Sequence, residues 1–243
     1  MLVMDIGNSR IKWRFTGPIS QPPRSEAYHV DRLSQQLLEW FDDISLMSPV
    51  IVCSVAATEV NDRVSRYFTN RDLVIDFTKI SREKAGVSNG YINIDQLGVD
   101  RWVAMVSAYN KYQSAVCVID AGTALTIDVV DVDGHHLGGL IMPGLNLMRQ
   151  SLLSGTSGIS EVSDLTLLLA DNTGDGVSAG CVQLLTAGIE PIIERIESHY
   201  GLKLVTVVTG GDADVIAKQT DCDLKLDKWL ILDGLEQLFV SDM

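Results

Sequence analysis

Two short stretches combine residue types that handle phosphate, metal ions and protons. One is Asp5-Ile-Gly7-Asn8-Ser9 and the other is Asp120-Ala-Gly122-Thr123. Each places an acid at the end of an apolar run, a glycine two residues later and then a polar side chain. The copies stand 115 residues apart in a chain of 243. Self-similarity at a fixed offset marks a duplicated unit. One Asp-x-Gly would be an ordinary hairpin turn. Two in equivalent places point to a site that the halves share. A glycine such as Gly7 can take φ > 0 and let an anion approach backbone N–H groups. A strand-end carboxylate such as Asp5 can hold a divalent cation through water. Lys12 alternates with Ile11 and Trp13, so it either points at whatever sits over the turn or is a solvated strand lysine.

Three further patterns carry possible chemistry. Asp100-Arg101 opens a helix and reads two ways. An acid in the first turn is routine, while a general base beside a cationic clamp uses the same pair. Thr209-Gly210-Gly211 joins a strand to a helix, where missing side chains would let a flat ring approach the backbone and the helix start would favour phosphate oxygens. An ordinary βα loop has the same pattern. His135 and His136 flank Gly134 and read as turn histidines, since neighbours on a strand point opposite ways and make a poor metal pair.

The elements that must position these residues follow from periodicity. Residues 2–6 and 10–15 form a hairpin, and Pro18, Pro22 and Pro23 mark a loop over 18–24. Asp31 to Phe41 has helical spacing with Asp31 as N-cap, and Trp40 and Phe41 are expected in the core. Pro49–Val55 is a buried strand, Thr58–Phe68 a helix capped by Thr58, and Leu73–Phe77 a strand. That ββαβαβ order predicts a mixed sheet with helices on its faces. Val99-Asp100-Arg101-Trp102 opens a strong helix that runs through Tyr112. Leu145–Leu153 is a short helix with Met148 and Leu152 inward, and Leu165–Ala170 is a helix turn or a strand. A long helix runs from Asn172 to about His199, interrupted at Pro191. Leu204–Val208 and Leu230–Leu232 are strands, and Gly234–Val240 closes the chain as a helix.

Composition bounds the function. Hydrophobic residues make up 46 % and charged residues 21 %, enough for one large or two small cores. The net charge of −13 argues against nucleic-acid and anionic-membrane surfaces, which need clustered Lys and Arg. The longest apolar runs fall short of about twenty residues, so no membrane span is expected. Met1 leads straight into a strand, so no signal peptide is expected either. Cys53, Cys117, Cys181 and Cys222 are scattered and read as free thiols in a reducing, cytoplasmic compartment.

In order, the motifs are Asp5-x-Gly-Asn8-x-x-x-Lys12, Gly98-x-Asp100-Arg101 and Asp120-x-Gly-Thr123-Ala-x-Thr126-x-Asp128. Gly138-Gly139-x-Ile-x-Pro143-Gly144, Asn172-Thr173 and Thr209-Gly-Gly-x-Ala213 follow. Together they resemble the acetate and sugar kinase, heat-shock-70 and actin superfamily, and most closely type III pantothenate kinase. The resemblance spans essentially the whole chain. It departs at Ile94 and around Lys228–Trp229, where the family often has proline.

The resemblance implies an α/β fold of two ribonuclease-H-like subdomains, 1–115 and 116–243, each a mixed sheet flanked by helices, with the site in the cleft between them. It implies an ATP:pantothenate phosphotransferase that takes the first step of coenzyme A synthesis. Asp5, Gly7, Asn8, Ser9 and Lys12 would hold the nucleotide phosphates, with Mg²⁺ on Asp5 through water. Thr123 would contact phosphate, and Asp120 would hold K⁺ or NH₄⁺. Asp100 would take the proton of the substrate hydroxyl. Tyr91, Gly98, Val99, Arg101 and Thr173 would contact pantothenate, and Gly210 and Gly211 would lie beside the adenosine. A homodimer is implied as well. No G-x-x-x-x-G-K-[ST] occurs, which excludes a P-loop kinase. A nucleotide-binding accessory or regulatory protein and a phosphoanhydride hydrolase remain open at this point. The presence of Asp100 speaks for the kinase.

Overall fold

A computed structural model describes residues 1–17, 21–41, 49–159 and 168–241. Residues 18–20 of the expected proline loop and 165–167 of the expected Leu165–Ala170 element lie outside them. The chain divides into two compact units, Met1–Lys111 with Trp229–Met243, and Tyr112–Lys228.

The first unit holds β1 (Leu2–Ile6), β2 (Arg10–Phe15), β3 (Arg24–Ala27), α1 (Leu33–Phe41), β4 (Val50–Ser54), α2 (Thr58–Thr69) and β5 (Ile75–Phe77). A two-stranded ribbon, β6 (Glu83–Lys84) and β7 (Val87–Ser88), then leads into α3 (Val99–Tyr112). The second unit holds β8 (Val116–Ala121), β9 (Ala124–Val130), β10 (His136–Pro143), α4 (Leu145–Gly155), α5 (Thr173–Ala187) and α6 (Ile189–Tyr200). β11 (Val205–Thr209), α7 (Ala213–Gln219) and β12 (Leu224–Leu226) complete it, and α8 (Leu230–Ser241) returns to the first unit.

The sheet orders are β3-β2-β1-β4-β5 and β10-β9-β8-β11-β12, so the duplication read from two turns extends to the whole strand topology. In both sheets the first three strands are antiparallel neighbours and the last two run parallel to the central one. This is the mixed sheet that the sequence predicts.

In the first sheet Leu2, Met4 and Ile6 point to one face and pack with Leu33, Leu37 and Phe41 of α1 and Val60 and Val64 of α2. Trp13 is 1 % exposed and stacks on Trp40 with centroids 5.2 Å apart. Removing such side chains from water contributes about 1.5–3 kcal/mol each. α8 packs on β1, β2 and β4. Arg14 of β2 ties it down, donating from Nε to Glu236 at 2.8 Å and from Nη2 to Asp233 at 2.7 Å. Gly234 lets α8 approach α3, where a Cβ would come within 2.6 Å of the Val103 carbonyl oxygen. A boundary at 115/116 would keep α8 with the second half, whereas its packing partners lie in the first.

Several local expectations change. Leu230–Leu232 is the first turn of α8 and not a strand, and the edge strand is Leu224–Leu226. Three adjacent apolar residues fit either period, so position in the core decides. Thr58 is the first residue of α2, with Ala57 at the N-cap and no side-chain cap bond. Asp31 lies in a 3₁₀ turn, Val30–Arg32, ahead of α1. Gln36 reaches back instead, accepting from His29 N–H and donating to Ala27 O. The break in the long helix falls at Gly188; Pro191 sits in the first turn of α6, where a missing N–H leaves no bond unmade. Leu152 is 38 % exposed, so it does not point inward. Thr173–Tyr200 as one stretch has the length and mean hydropathy of a membrane span, 1.4, but 50 % of that window is buried, as in a core helix.

Candidate active site

Asp5 sits one residue from the end of the central strand of the first sheet, paired in register with Lys12 on one side and Cys53 on the other. Paired residues share a sheet face, and Lys12 Nζ lies 3.8 Å from Asp5 Oδ2. Asp5 is 7 % exposed, so its carboxylate carries charge in a poorly hydrated place and needs cations nearby. The turn Gly7-Asn8-Ser9 closes the hairpin through Gly7 N–H donating to Arg10 O at 3.0 Å. Gly7 is not in a left-handed conformation, contrary to the expectation of φ > 0. A Cβ there would meet Arg10 O at 3.5 Å, an ordinary contact.

The second cluster of the first unit is built on the start of α3. Trp102 N–H donates to Gly98 O at 3.0 Å, opening the helix. Asp100 Oδ1 accepts from Arg101 N–H at 2.8 Å, and the carboxylate lies against Gly98 where any Cβ would overlap it. A side chain at Gly98 would displace the Asp100 carboxylate from this position. Arg101 is 6 % exposed, and its Nη1 donates to the Tyr91 hydroxyl at 3.1 Å. Arg82 fixes the Tyr91 loop by donating to the carbonyls of Asn89, Tyr91 and Ile92. Ile94 begins a 3₁₀ turn, Ile94–Gln96, whose cap is Asn93 Oδ1 accepting from Asp95 N–H. Tyr91, Gly98 and Asp100 are therefore brought together beside the buried Arg101 side chain, with Val99 next to them as the first residue of α3.

In the second unit Asp120 occupies the matching place on β8, in register with Thr126 of β9 and Thr209 of β11. Thr209 is 1 % exposed, and its buried hydroxyl Oγ1 makes no hydrogen bond. Gly144 N–H donates to Thr123 O at 3.1 Å, and a Cβ on Gly144 would overlap the Gly122 and Thr123 carbonyls. Gly210 has φ 98° and lies on Ala121, whose carbonyl accepts from Asp212 N–H at 3.0 Å. Asp120, Thr123, Gly210 and Gly211 thus share one end of the second sheet. Thr173 opens α5 under an Asn172 cap, Asn172 Oδ1 accepting from Asp175 N–H at 3.0 Å. Thr173 lines the groove between α4 and α5 with Met148, Leu152 and Gly176.

His136 corrects the reading of both histidines as turn residues. It is 3 % exposed in β10, and its Nε2 lies 3.0 Å from Asp128 Oδ1, while His135 stays at the hairpin tip 3.3 Å from Asp131. Strand alternation separates the two, and only a three-dimensional partner distinguishes them. All four cysteines are free. Burial, with the nearby Asp128 carboxylate second, pushes the Cys117 thiol up to about 12, which makes it inert as a nucleophile. Sequence reasoning passed over Thr209 Oγ1 and Tyr28, whose hydroxyl donates to Gly7 O at 2.9 Å. A lone tyrosine after a short polar strand carries no pattern that would have found it.

Residues 1–195 match the family model described as type III pantothenate kinase. The chain belongs to this family. A type III pantothenate kinase of Laribacter hongkongensis is 32 % identical over 240 residues, covering 98 % of both chains. One from Azotobacter vinelandii is 33 % identical over 225 residues, 88 % of each. Among solved structures, a Campylobacter jejuni protein described as a Baf family transcriptional activator superposes with a TM-score of 0.62 at 20 % identity, over 100 % of this chain and 98 % of that one. A Sinorhizobium meliloti protein described as a 2-dehydro-3-deoxygalactonokinase gives 0.56 at 11 % identity, over 98 % and 95 %. At these identities the likeness concerns the fold, and it is the actin-like ATPase and sugar-kinase fold that the motifs imply. Family membership makes the chain a kinase, an enzyme of ATP-dependent phosphoryl transfer.

Proposed function

We propose that the protein transfers the γ-phosphoryl group of ATP to the 4′-hydroxyl of pantothenate, the step that commits pantothenate to coenzyme A. The observation that carries this reading is the cluster at the start of α3, in a member of a kinase family: an acid beside a buried arginine and a tyrosine hydroxyl. Phosphoryl transfer asks a protein mainly to align an oxygen with the γ-phosphate and to balance charge. Asp100 accepts the proton of the attacking hydroxyl. Its Oδ1 accepts the Arg101 N–H, which orients the carboxylate for that transfer. Arg101 neutralises the pantothenate carboxylate, supported by Tyr91, while Gly98 and Val99 shape the pocket wall. The turn Gly7-Asn8-Ser9 and Lys12 hold the nucleotide phosphates, with Thr123 as a further phosphate contact. Gly210 and Gly211 leave space for the adenosine, and Thr173 contacts pantothenate.

Two cations belong to this reading. The buried Asp5 carboxylate fits Mg²⁺ held through water, and the bound ion would neutralise phosphate charge. Asp120 with the unbonded Thr209 hydroxyl in register offers only oxygen donors, which fits K⁺ or NH₄⁺. The α4–α5 groove has a volume of about 520 Å³, and beside it Leu184 is 73 % exposed. A second copy of the chain covering that apolar face makes a homodimer. The acidic surface and free thiols are in keeping with a cytoplasmic enzyme without nucleic-acid or membrane partners.

The deciding experiment follows ADP production by the main gel-filtration peak in MgATP and K⁺, with and without pantothenate, and again with Na⁺ in place of K⁺. Pantothenate-dependent ADP is expected, with lower turnover in Na⁺. ADP formed without pantothenate would make the protein a hydrolase, and ATP binding without ADP would make it a regulatory relative. Equal rates in the two salts would remove the monovalent cation from Asp120, and a monomeric peak would remove the dimer.

A further inference from the structure

The turn that carries Gly7, Asn8 and Ser9 is held from outside by a residue that none of the motifs contains. Tyr28 is the first residue after β3 and is 8 % exposed. Its backbone N–H donates to Ser9 O at 3.3 Å, and its hydroxyl donates to Gly7 O at 2.9 Å. Gly7 N–H meanwhile closes the hairpin on Arg10 O at 3.0 Å. A peptide unit is planar and trans, so its C=O and N–H point opposite ways. Fixing the Gly7 carbonyl on Tyr28 therefore fixes the Asn8 N–H on the opposite side of the turn. Backbone N–H groups held in this way form an anion-binding concavity.

The duplicated half shows which part of this brace is general. Ala27 pairs with Arg10 at the end of β3, and Pro143 pairs with Ala124 at the end of β10. Tyr28 and Gly144 are thus equivalents, each one residue past the third strand of its sheet. Gly144 also sends its backbone N–H into the hairpin turn, to Thr123 O. The backbone bond is common to both halves, and only the first adds a side chain. Loop length explains the difference. Asp5 pairs with Lys12 but Asp120 pairs with Thr126, so the second turn is one residue shorter. In the shorter turn a Cβ at Gly144 would overlap the Gly122 and Thr123 carbonyls, whereas the longer turn admits a tyrosine whose hydroxyl reaches the Gly7 carbonyl.

We propose that Tyr28 is a positioning residue for the nucleotide phosphates, acting by orienting the Gly7–Asn8 peptide. This rests on the reading of Asp5 to Lys12 as the phosphate-binding hairpin. Tyr28→Phe removes the hydroxyl and keeps the ring and the backbone bond. In the full-length protein it raises KM for MgATP and weakens MgADP binding by calorimetry about 2- to 10-fold, the weight of one net hydrogen bond. KM for pantothenate stays at the wild-type value, and the melting temperature falls by no more than about 1–5 °C, the stability cost of losing one net hydrogen bond. Unchanged MgADP affinity and MgATP KM would overturn the proposal. So would a parallel rise of both KM values with a larger fall in melting temperature, which is the behaviour of a residue that only stabilises the fold. If the wild type binds MgADP but makes no pantothenate-dependent ADP, the pantothenate reading fails and the calorimetry of Tyr28→Phe alone decides on Tyr28. If the wild type binds no MgADP, the phosphate hairpin and the role of Tyr28 fall together.

Discussion

Gly210→Ala is the substitution whose consequence can be worked out most fully. Gly210 has φ 98°, and a Cβ there would lie 2.5 Å from the Ala121 carbonyl carbon and 2.6 Å from its nitrogen. The obstacle is backbone in the central strand β8, 2 % exposed at Ala121, so no flexible side chain can swing aside. A left-handed φ costs an alanine about 1–2 kcal/mol, and forcing extra volume into a packed site costs about 1–3 kcal/mol more. Together they destabilise the protein by about 2–5 kcal/mol. In a protein of this size that lowers the melting temperature by about 5–15 °C. Gly211 is the internal control, because nothing lies within 4 Å of its Cβ position and its φ is not positive. Gly211→Ala should stay within about 0.5 kcal/mol of wild type. Calorimetric melting of the two variants side by side reads both numbers. Gly210→Ala melting within 2–3 °C of wild type, on the order of the shift from a single kcal/mol, would refute the argument. Equal losses from both alanines would refute it too.

Asp100→Asn keeps the Oδ1 acceptor for the Arg101 N–H and removes the base, so kcat should fall about 10²–10⁴-fold while the fold and ATP binding are kept. Near-wild-type turnover would take Asp100 out of the mechanism. Glu197 has its carboxyl pulled below the ordinary 4.5 chiefly by the Leu204 N–H, which it accepts at 2.8 Å, with Lys203 adding to the shift. A lowered folded value contributes stability that is present above about 4.5 and lost as pH falls through the folded value. Glu197→Gln should therefore melt below wild type at pH 7, with the gap narrowing as pH falls below about 4.5, and a gap that keeps its size as pH falls would refute the linkage.

The sequence by itself determined the duplicated acid-glycine turns, the mixed-sheet order of the first half, and the family through motifs spread along the whole chain. These are local or periodic signals. Strand alternation and turn chemistry act over a few residues, and a repeated Asp-x-Gly is visible without any fold. Helix boundaries were legible to within a turn, but caps were not. Gln36 does at α1 what Asp31 was expected to do, because the chain enters that helix through a 3₁₀ turn.

What only the tertiary structure decided are the pairings between distant segments. Leu230–Leu232 became helix because α8 packs on a sheet formed more than 170 residues earlier, and three apolar residues hold no period of their own. His136 was separated from His135 by a buried carboxylate on the adjacent strand. Gly144 and Gly210 are required by backbone groups that stand against them, and those lie in other strands or turns of the same sheet. Tyr28 shows the limit most directly. Its role depends on a hydroxyl meeting a carbonyl 21 residues away, and a hydrogen bond between distant residues leaves no spacing in the sequence to read.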